Sequence, residues 1–248
     1  MSKKKTIVKK LDSIQSFGAM NILCTDKTGT LTEDKIVLEK YLDVMGNEDF
    51  RVLKHAFLNA YFQTGLKSNI DEAVIKRGIE HGLDEISTKY VKVDEIPFDF
   101  SRRRLSIIVN DGTKTQLITK GAVEEILNIC TLVDYKGKVE PITNSIKENI
   151  KKITKELNKQ GLRVVAVCQK NDLNKTEEFN VSDEKNMVLI GFIGFLDPPK
   201  ETAKSSIEKL GKNGIRVIVL TGDNVEVTRC VCDKVGIKSN RIVTGAQI

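Results

Sequence analysis

The sequence predicts an α/β fold in which a parallel-sheet domain is interrupted by an inserted α+β domain built on an antiparallel sheet. Three observations point there. A short apolar run, "NILCT" (21–25), opens directly into a polar loop, "DKTGTLT" (26–32). Far along the chain a helix, a strand and a second helix follow one another, "PPKETAKSSIEKLGKNG" (198–214), "IRVIVLTGDN" (215–224) and "VEVTRCVCDKVG" (225–236). Such alternation is the mark of parallel strands joined by crossovers. Between these pieces, short alternating strands mix with helices, which implies a module of a different kind.

Taken in order, "TIVKKLDSIQSF" (6–17) carries Ile7, Leu11 and Ile14 at helical spacing, and Gly18 can stop the turn. "NILCT" reads as a short buried strand. In the middle region, "YVKVDEI" (90–96), "RLSIIVN" (104–110), "TQLITK" (115–120) and "LRVVAVC" (162–168) read as strands. "TNSIKENIKKITKELNKQG" (143–161) places Ile146, Ile150, Ile153 and Leu157 on one stripe, as expected of a helix covering a sheet with one face. "KNDLNKTEEFNVSDEKN" (170–186) reads as a polar excursion. Near the C-terminus, Ala203, Ile207 and Leu210 share a helix face, and Gly236 stops the final helix. The expected division is 1–37 and 196–248 for the parallel-sheet domain and 38–195 for the insert.

Composition narrows the function classes. Among 248 residues, 40 Lys and Arg against 34 Asp and Glu give a formal charge of +6. The basic residues are scattered, apart from "SKKKTIVKK" at the start and Arg102 to Arg104, so they argue for solvated faces and not for nucleic acid. The five cysteines form no closely spaced framework, and most lie in apolar runs; reduced, buried thiols and a cytosolic compartment are expected. Cys230 and Cys232 lack the companion ligands of a metal site. His55 and His81 fall in helix-like segments and read as structural. The longest apolar run, "MVLIGFIGFL" (187–196), is strand length, well short of the roughly 18 residues of a membrane helix, and no signal peptide is visible.

In a parallel sheet, ligands bind beyond the carboxyl ends of the strands. Asp26 and Asp223 both stand there, one after "NILCT" and the other after "IRVIVLTG". Asp26 is the candidate nucleophile, because a carboxylate attacks phosphorus without first losing a proton and forms an aspartyl phosphate. Lys27 is a neighbouring candidate, and Gly29 permits a tight turn near a phosphate. Thr28, Thr30 and Thr32 supply hydroxyl and backbone donors, and Thr221 with the Gly222 backbone can hold phosphoryl oxygens. The negative charge gathered there asks for Mg2+, which takes oxygen ligands; Asp26 and the Thr28 carbonyl are the candidate ligands.

"DKTGTLT" (26–32), "KGA" (120–122), "DPP" (197–199) and "TGDN" (221–224), in this order, resemble the cytoplasmic phosphorylation and nucleotide-binding domains of P-type cation-transporting ATPases. "LDSIQSFGAMNILCTDKTGTLTEDKI" and "EIPFDFSRRRLS" are most similar to the magnesium-transporting branch. The resemblance implies a HAD-like Rossmannoid phosphorylation domain, interrupted by a nucleotide-binding domain that takes ATP. It implies that ATP phosphorylates Asp26, that Thr28 helps hold Mg2+, and that Thr221, Gly222 and Asp223 surround the phosphoryl group. In the insert it implies Lys120 and Gly121 in the nucleotide pocket, Phe98 or Phe100 stacked on adenine, Asp71 near the adenine amino group, and Arg163 and Arg103 toward the phosphates. By their own chemistry, Phe98 reads equally as a core aromatic, Asp71 as a helix-start acid and Arg163 as a local ion-pair partner. The implied partners are ATP, a cation carried by a membrane domain, and the transmembrane and actuator domains of the same polypeptide. The implied location is the cytoplasmic face of the cell membrane, with the present chain soluble.

Two departures shape the expectation. Hydrolases with this chemistry commonly carry a second acid two residues after the nucleophile; Thr28 stands there, which disfavours the rival reading of a soluble HAD-type phosphatase with a large cap. A nucleotide-binding module without phosphoryl transfer is the other rival. The family pattern also expects a later Lys and a "GDGxND" loop, absent before the chain ends at "RIVTGAQI". The chain therefore reads as a fragment whose resumed sheet is incomplete at the C-terminus, with little activity alone.

Overall fold

The computed structural model describes residues 9–10, 12–65, 67–171, 173, 178–239 and 241–247. The first elements are α1 (Ser13–Gly18), β1 (Ile22–Asp26), β2 (Val37–Asp43), α2 (Phe50–Phe62), α3 (Asn69–Glu80) and α4 (Leu83–Ser87). There follow β3 (Val91–Asp99), β4 (Arg104–Asn110), β5 (Thr115–Gly121), α5 (Val123–Ile129), β6 (Cys130–Tyr135) and β7 (Lys138–Pro141). The chain continues with α6 (Asn144–Lys159), β8 (Leu162–Asn171), β9 (Met187–Leu196), α7 (Glu201–Lys212), β10 (Arg216–Leu220) and α8 (Val225–Val235). Internal packing divides it into two compact units, residues 1–34 with 199–248, and residues 35–198.

In the first unit β1 and β10 pair in parallel, from Ile22↔Arg216 to Asp26↔Leu220. Helix α7 packs on β10 and on α8, with Ala203 buried at its entry. The expectation of buried strands is corrected here: Ile22 is exposed and Leu220 is 58% exposed. The reason is geometric, since each strand has one neighbour among the described residues, and two strands shelter little area. Cys24 on β1 is exposed too, against the expectation of buried thiols, whereas Cys130, Cys168 and Cys232 are buried; all five are free. The first helix is described only as Ser13–Gly18, with Ile14 exposed; Ile7 and Leu11 lie outside the described residues.

The second unit is built on a sheet of order β3-β4-β5-β8-β9-β6-β7, with β2 paired to β9. The long apolar β9 is the centre of this arrangement. One of its edges carries β8, from Leu162↔Leu196 to Gln169↔Val188. The other edge is shared, β2 taking Gly191 to Leu196 and β6 taking Met187 to Leu189. Pairing is antiparallel except at β6 and β9, so the sheet is mixed. Both faces are covered, which explains why β9 is apolar throughout instead of alternating. Leu53, Phe57 and Val74 of α2 and α3 pack with Leu105, Ile107, Ile118 and Ile193 on one face. Ile126 of α5 and Ile150 of α6 pack with Ile108, Leu117 and Phe192 on the other. The predicted α6 stripe is buried at Ile150 and Leu157 and half-buried at Ile146 and Ile153, the first turns meeting this face and Ile153 and Leu157 packing with Leu42 and Leu162.

The polar excursion of 170–186 is also corrected where it is described. Phe179 and Glu184 within it are buried, and Phe179 N donates to Asp94 Oδ2 at 2.7 Å. A polar sequence made it look solvated, but Glu184 is drawn inward by Arg102 of the β3–β4 turn and Arg104 of β4. His55 and His81 keep structural roles: His55 Nδ1 lies 2.6 Å from the Arg51 carbonyl within α2, and His81 caps α3.

Candidate active site

Strand β1 delivers Asp26 to its carboxyl end, where the side chain is exposed and its Oδ1 accepts from Lys27 N at 2.7 Å. The chain then folds around the Lys27 carbonyl. Leu31 N and Thr32 N donate to it at 3.0 and 3.2 Å, and Thr32 Oγ1 donates at 3.3 Å. Gly29 N in turn donates to Thr32 Oγ1 at 3.3 Å. This curl needs a left-handed residue, and Gly29 supplies it at φ +70°. Thr28 and Thr30 remain exposed, whereas Thr32 is buried and its hydroxyl staples the loop. Of the three threonines expected as donors to a phosphate, Thr32 spends its hydroxyl on the Lys27 carbonyl. Lys200 closes the loop from outside: its backbone N donates to Leu31 O at 2.9 Å, and its Nζ donates to Gly29 O.

Because Asp26 is in register with Leu220, the "TGDN" turn leaves the sheet beside the loop. Asp223 N donates to Thr221 Oγ1 at 3.2 Å, and Asn224 caps α8 by accepting from Glu226 N at 2.9 Å. Lys27 is buried and its Nζ lies 2.5 Å from Asp223 Oδ2. Thus Asp26, Lys27 and Thr28 are brought together with Thr221, Gly222 and Asp223. Among the described residues no three His, Cys, Asp or Glu side chains gather as a metal cage.

In the second unit, Ser68 and Asp71 form a reciprocal cap on α3: Asp71 N donates to Ser68 Oγ, and Asp71 Oδ2 accepts from Ser68 N at 3.0 Å and Ser68 Oγ at 2.7 Å. Its other oxygen accepts from Lys120 Nζ, reaching up from β5. Both side chains are buried. Burial raises the Asp71 carboxyl, but Lys120 and Ser68 outweigh it and hold the group below its ordinary 3.8. Burial pushes the Lys120 ammonium down, with Asp71 opposing.

Strand register sets the neighbours of Lys120. It pairs with Leu105 on β4 and Val167 on β8, so by alternation Arg163 shares its face of the sheet. On β3 the register slips between Ile96 and Asp99, leaving Pro97 and Phe98 together opposite Leu105. Phe98 is 50% exposed and Phe100, beyond the strand, is 90% exposed, their rings meeting edge to face at 5.3 Å. Arg103 is exposed, in a left-handed conformation with φ 47°, and donates to Glu125 Oε1 at 2.6 Å. Gly121 is required by close approach, since a Cβ there would stand 2.7 Å from the Arg103 carbonyl.

Sequence reasoning missed Ser68, Lys200 and Glu184. "SNID" (68–71) is a capping-box signature and was there to be seen; nothing local distinguishes the other two.

A family model for the P-type ATPase cytoplasmic domain N matches residues 60–202. The chain belongs to that P-type ATPase family. The magnesium-transporting ATPase, P-type 1, of Escherichia coli K12 is 47% identical over 249 residues, covering 100% of this chain and 28% of that protein. A Salmonella typhimurium LT2 protein of the same description is 42% identical over 252 residues, again 100% of this chain and 28% of the relative. The calcium-transporting ATPase 1 of Lactococcus lactis is 30% identical over 269 residues, 100% of this chain and 30% of the relative. This P-type ATPase chain thus spans under a third of the length of the relatives it matches. No helix among its described residues is long and apolar enough to cross a membrane.

Proposed function

We propose that this chain carries the phosphoryl-accepting and nucleotide-binding residues of an ATP-driven magnesium transporter. The observation that supports it most is the exposed Asp26 at the end of β1, in register with the strand that leads into Thr221 to Asp223. In this reading residues 1–37 and 196–248 form the phosphorylation domain and 38–195 the nucleotide-binding domain. Phe98 or Phe100 stacks on adenine, Asp71 and Lys120 define the floor of the pocket, and Arg163 and Arg103 attract the phosphates. The membrane and actuator domains of the intact protein are its working partners.

An Asp26 carboxylate oxygen attacks the terminal phosphorus of ATP. A new P–O bond forms there, the bond from that phosphorus to the bridging oxygen breaks, and ADP leaves with the electron pair. Lys27 is committed to Asp223, so its role is to hold the two strand ends in place. Thr221 and the Gly222 backbone stabilise the equatorial oxygens. Asp26 and the Thr28 carbonyl offer the hard oxygen donors that Mg2+ takes, and an exposed loop leaves room for the waters it keeps. When bound, Mg2+ neutralises phosphoryl charge.

The test is to incubate the full-length transporter with ATP labelled in its terminal phosphate. An acid-stable, hydroxylamine-sensitive label is expected, lost in Asp26→Asn and stimulated by the transported ion. Persistence of the label in Asp26→Asn would overturn the assignment of the nucleophile.

A further inference from the structure

We propose that Glu184 is a positioning residue for the Phe98 and Phe100 pair, acting through Arg102; the consequence for nucleotide rests on the reading above. The Glu184 side chain is 0% exposed. Both its oxygens accept from Arg102 Nη1 at 2.9 Å, and Arg104 Nε and Ser106 Oγ each donate to it at 2.6 Å. Ser106 Oγ also lies 2.7 Å from Thr119 Oγ1, which carries the network across to β5.

The carboxylate is held from its own side. Asn180 and Asp183 cap the short turn Val181–Asp183 just before it, and the Lys185 carbonyl accepts from Lys170 Nζ at 3.2 Å. What it grips is the β3–β4 turn. Arg102 Nη2 donates to the Pro97 carbonyl at 2.6 Å, immediately before Phe98, so one guanidinium joins Glu184 to the start of the turn. Arg104 joins Glu184 to its end. Phe98 projects from the slipped end of β3 and Phe100 from the turn itself, and Phe100 at 90% exposure has little packing to orient it. Their direction therefore depends on the backbone beneath them. A fully buried acid bonded to two arginines is a costly way to obtain stability alone, and a well-attested return is conformational specificity. Preorganised aromatics spare a ligand the cost of ordering them.

The experiment uses the 248-residue chain with 13C-labelled phenylalanine, wild type and Glu184→Gln, well below both unfolding midpoints. ADP is titrated by calorimetry, and ring resonances are recorded without nucleotide. Glu184→Gln is expected to weaken ADP by about tenfold, equivalent to about 1.4 kcal/mol, and to shift the Phe98 and Phe100 resonances while those of Phe57 stay. Arg102→Gln should do the same, and the double variant no more than either single one. Wild-type affinity with unmoved rings in folded Glu184→Gln overturns the proposal, as does weakened binding without any ring shift. If Glu184→Gln does not fold, Arg102→Gln decides by the same two readings. If the unsubstituted chain binds no ADP, the nucleotide reading fails separately, and the ring resonances alone decide whether Glu184 positions the pair.

Discussion

Lys27 and Asp223, at the ends of strands distant in sequence, form an ion pair of 2.5 Å in which the lysine is buried. The pair makes the "DKTGTLT" loop and the "TGDN" turn one structure. Asp223→Asn removes the negative charge 2.5 Å from a buried ammonium and is expected to cost about 2 kcal/mol. Lys27→Met, which fills the same space without charge, should cost less. Urea unfolding followed by circular dichroism, compared at equal m-values, measures both.

The Asp71 carboxyl sits below its ordinary value of 3.8 in the folded protein. The unfolded chain then binds the proton first as pH falls, so the stability this group contributes is full above about pH 4 and is lost through the lower folded value. Asp71→Asn should therefore be less stable at pH 7 and show a shallower loss of stability on acidification. Unfolding midpoints between pH 7 and pH 2 would reveal this, and parallel slopes for the two proteins would rule it out.

Gly121→Ala is expected to destabilise the second unit by about 2 kcal/mol, because an added methyl meets packed backbone that has no room to move. The clash involves Arg104 Cβ at 2.5 Å as well as the Arg103 carbonyl. Since that carbonyl also accepts from Ala122 N at 3.1 Å, ADP affinity should fall together with stability. Thermal unfolding and calorimetric titration of the same preparation check the two effects.

Thr28 is exposed two residues after Asp26, where an acid would be placed to activate water. Thr28→Asp in the full-length transporter is expected to shorten the lifetime of the phosphorylated state by about a hundredfold, the usual scale of a positioned general base. A chase with unlabelled ATP measures the decay, and an unchanged decay would mean that Thr28 does not hold the position assigned to it.

Much of this was legible because it is local. Hydrophobic period located β4, β5 and α6 and the length of an apolar run located β9, all from the identity of neighbouring residues, and "DKTGTLT" marked its loop through residue types that suit one backbone path. The exposure of Leu220 was not legible, because an apolar strand looks the same whether its faces are covered or open. Glu184 was not legible either. In a run of Asn, Asp, Lys and Glu it reads as solvated, and Arg102, Arg104 and Ser106, arriving from the β3–β4 turn and β4, make burial tolerable.

The sequence by itself determined the strands β1, β4, β5, β8 and β10, the helices α6, α7 and α8 and the polar loop that follows β1, since propensity, periodicity and turn preference act between residues near one another in the chain. Tertiary structure alone decided that Lys27 meets Asp223, that Lys120 meets Asp71 and that Glu184 meets two arginines. Those partners are selected by strand register and by the need of each buried charge for an opposite one, and neither condition exists until the sheets have formed.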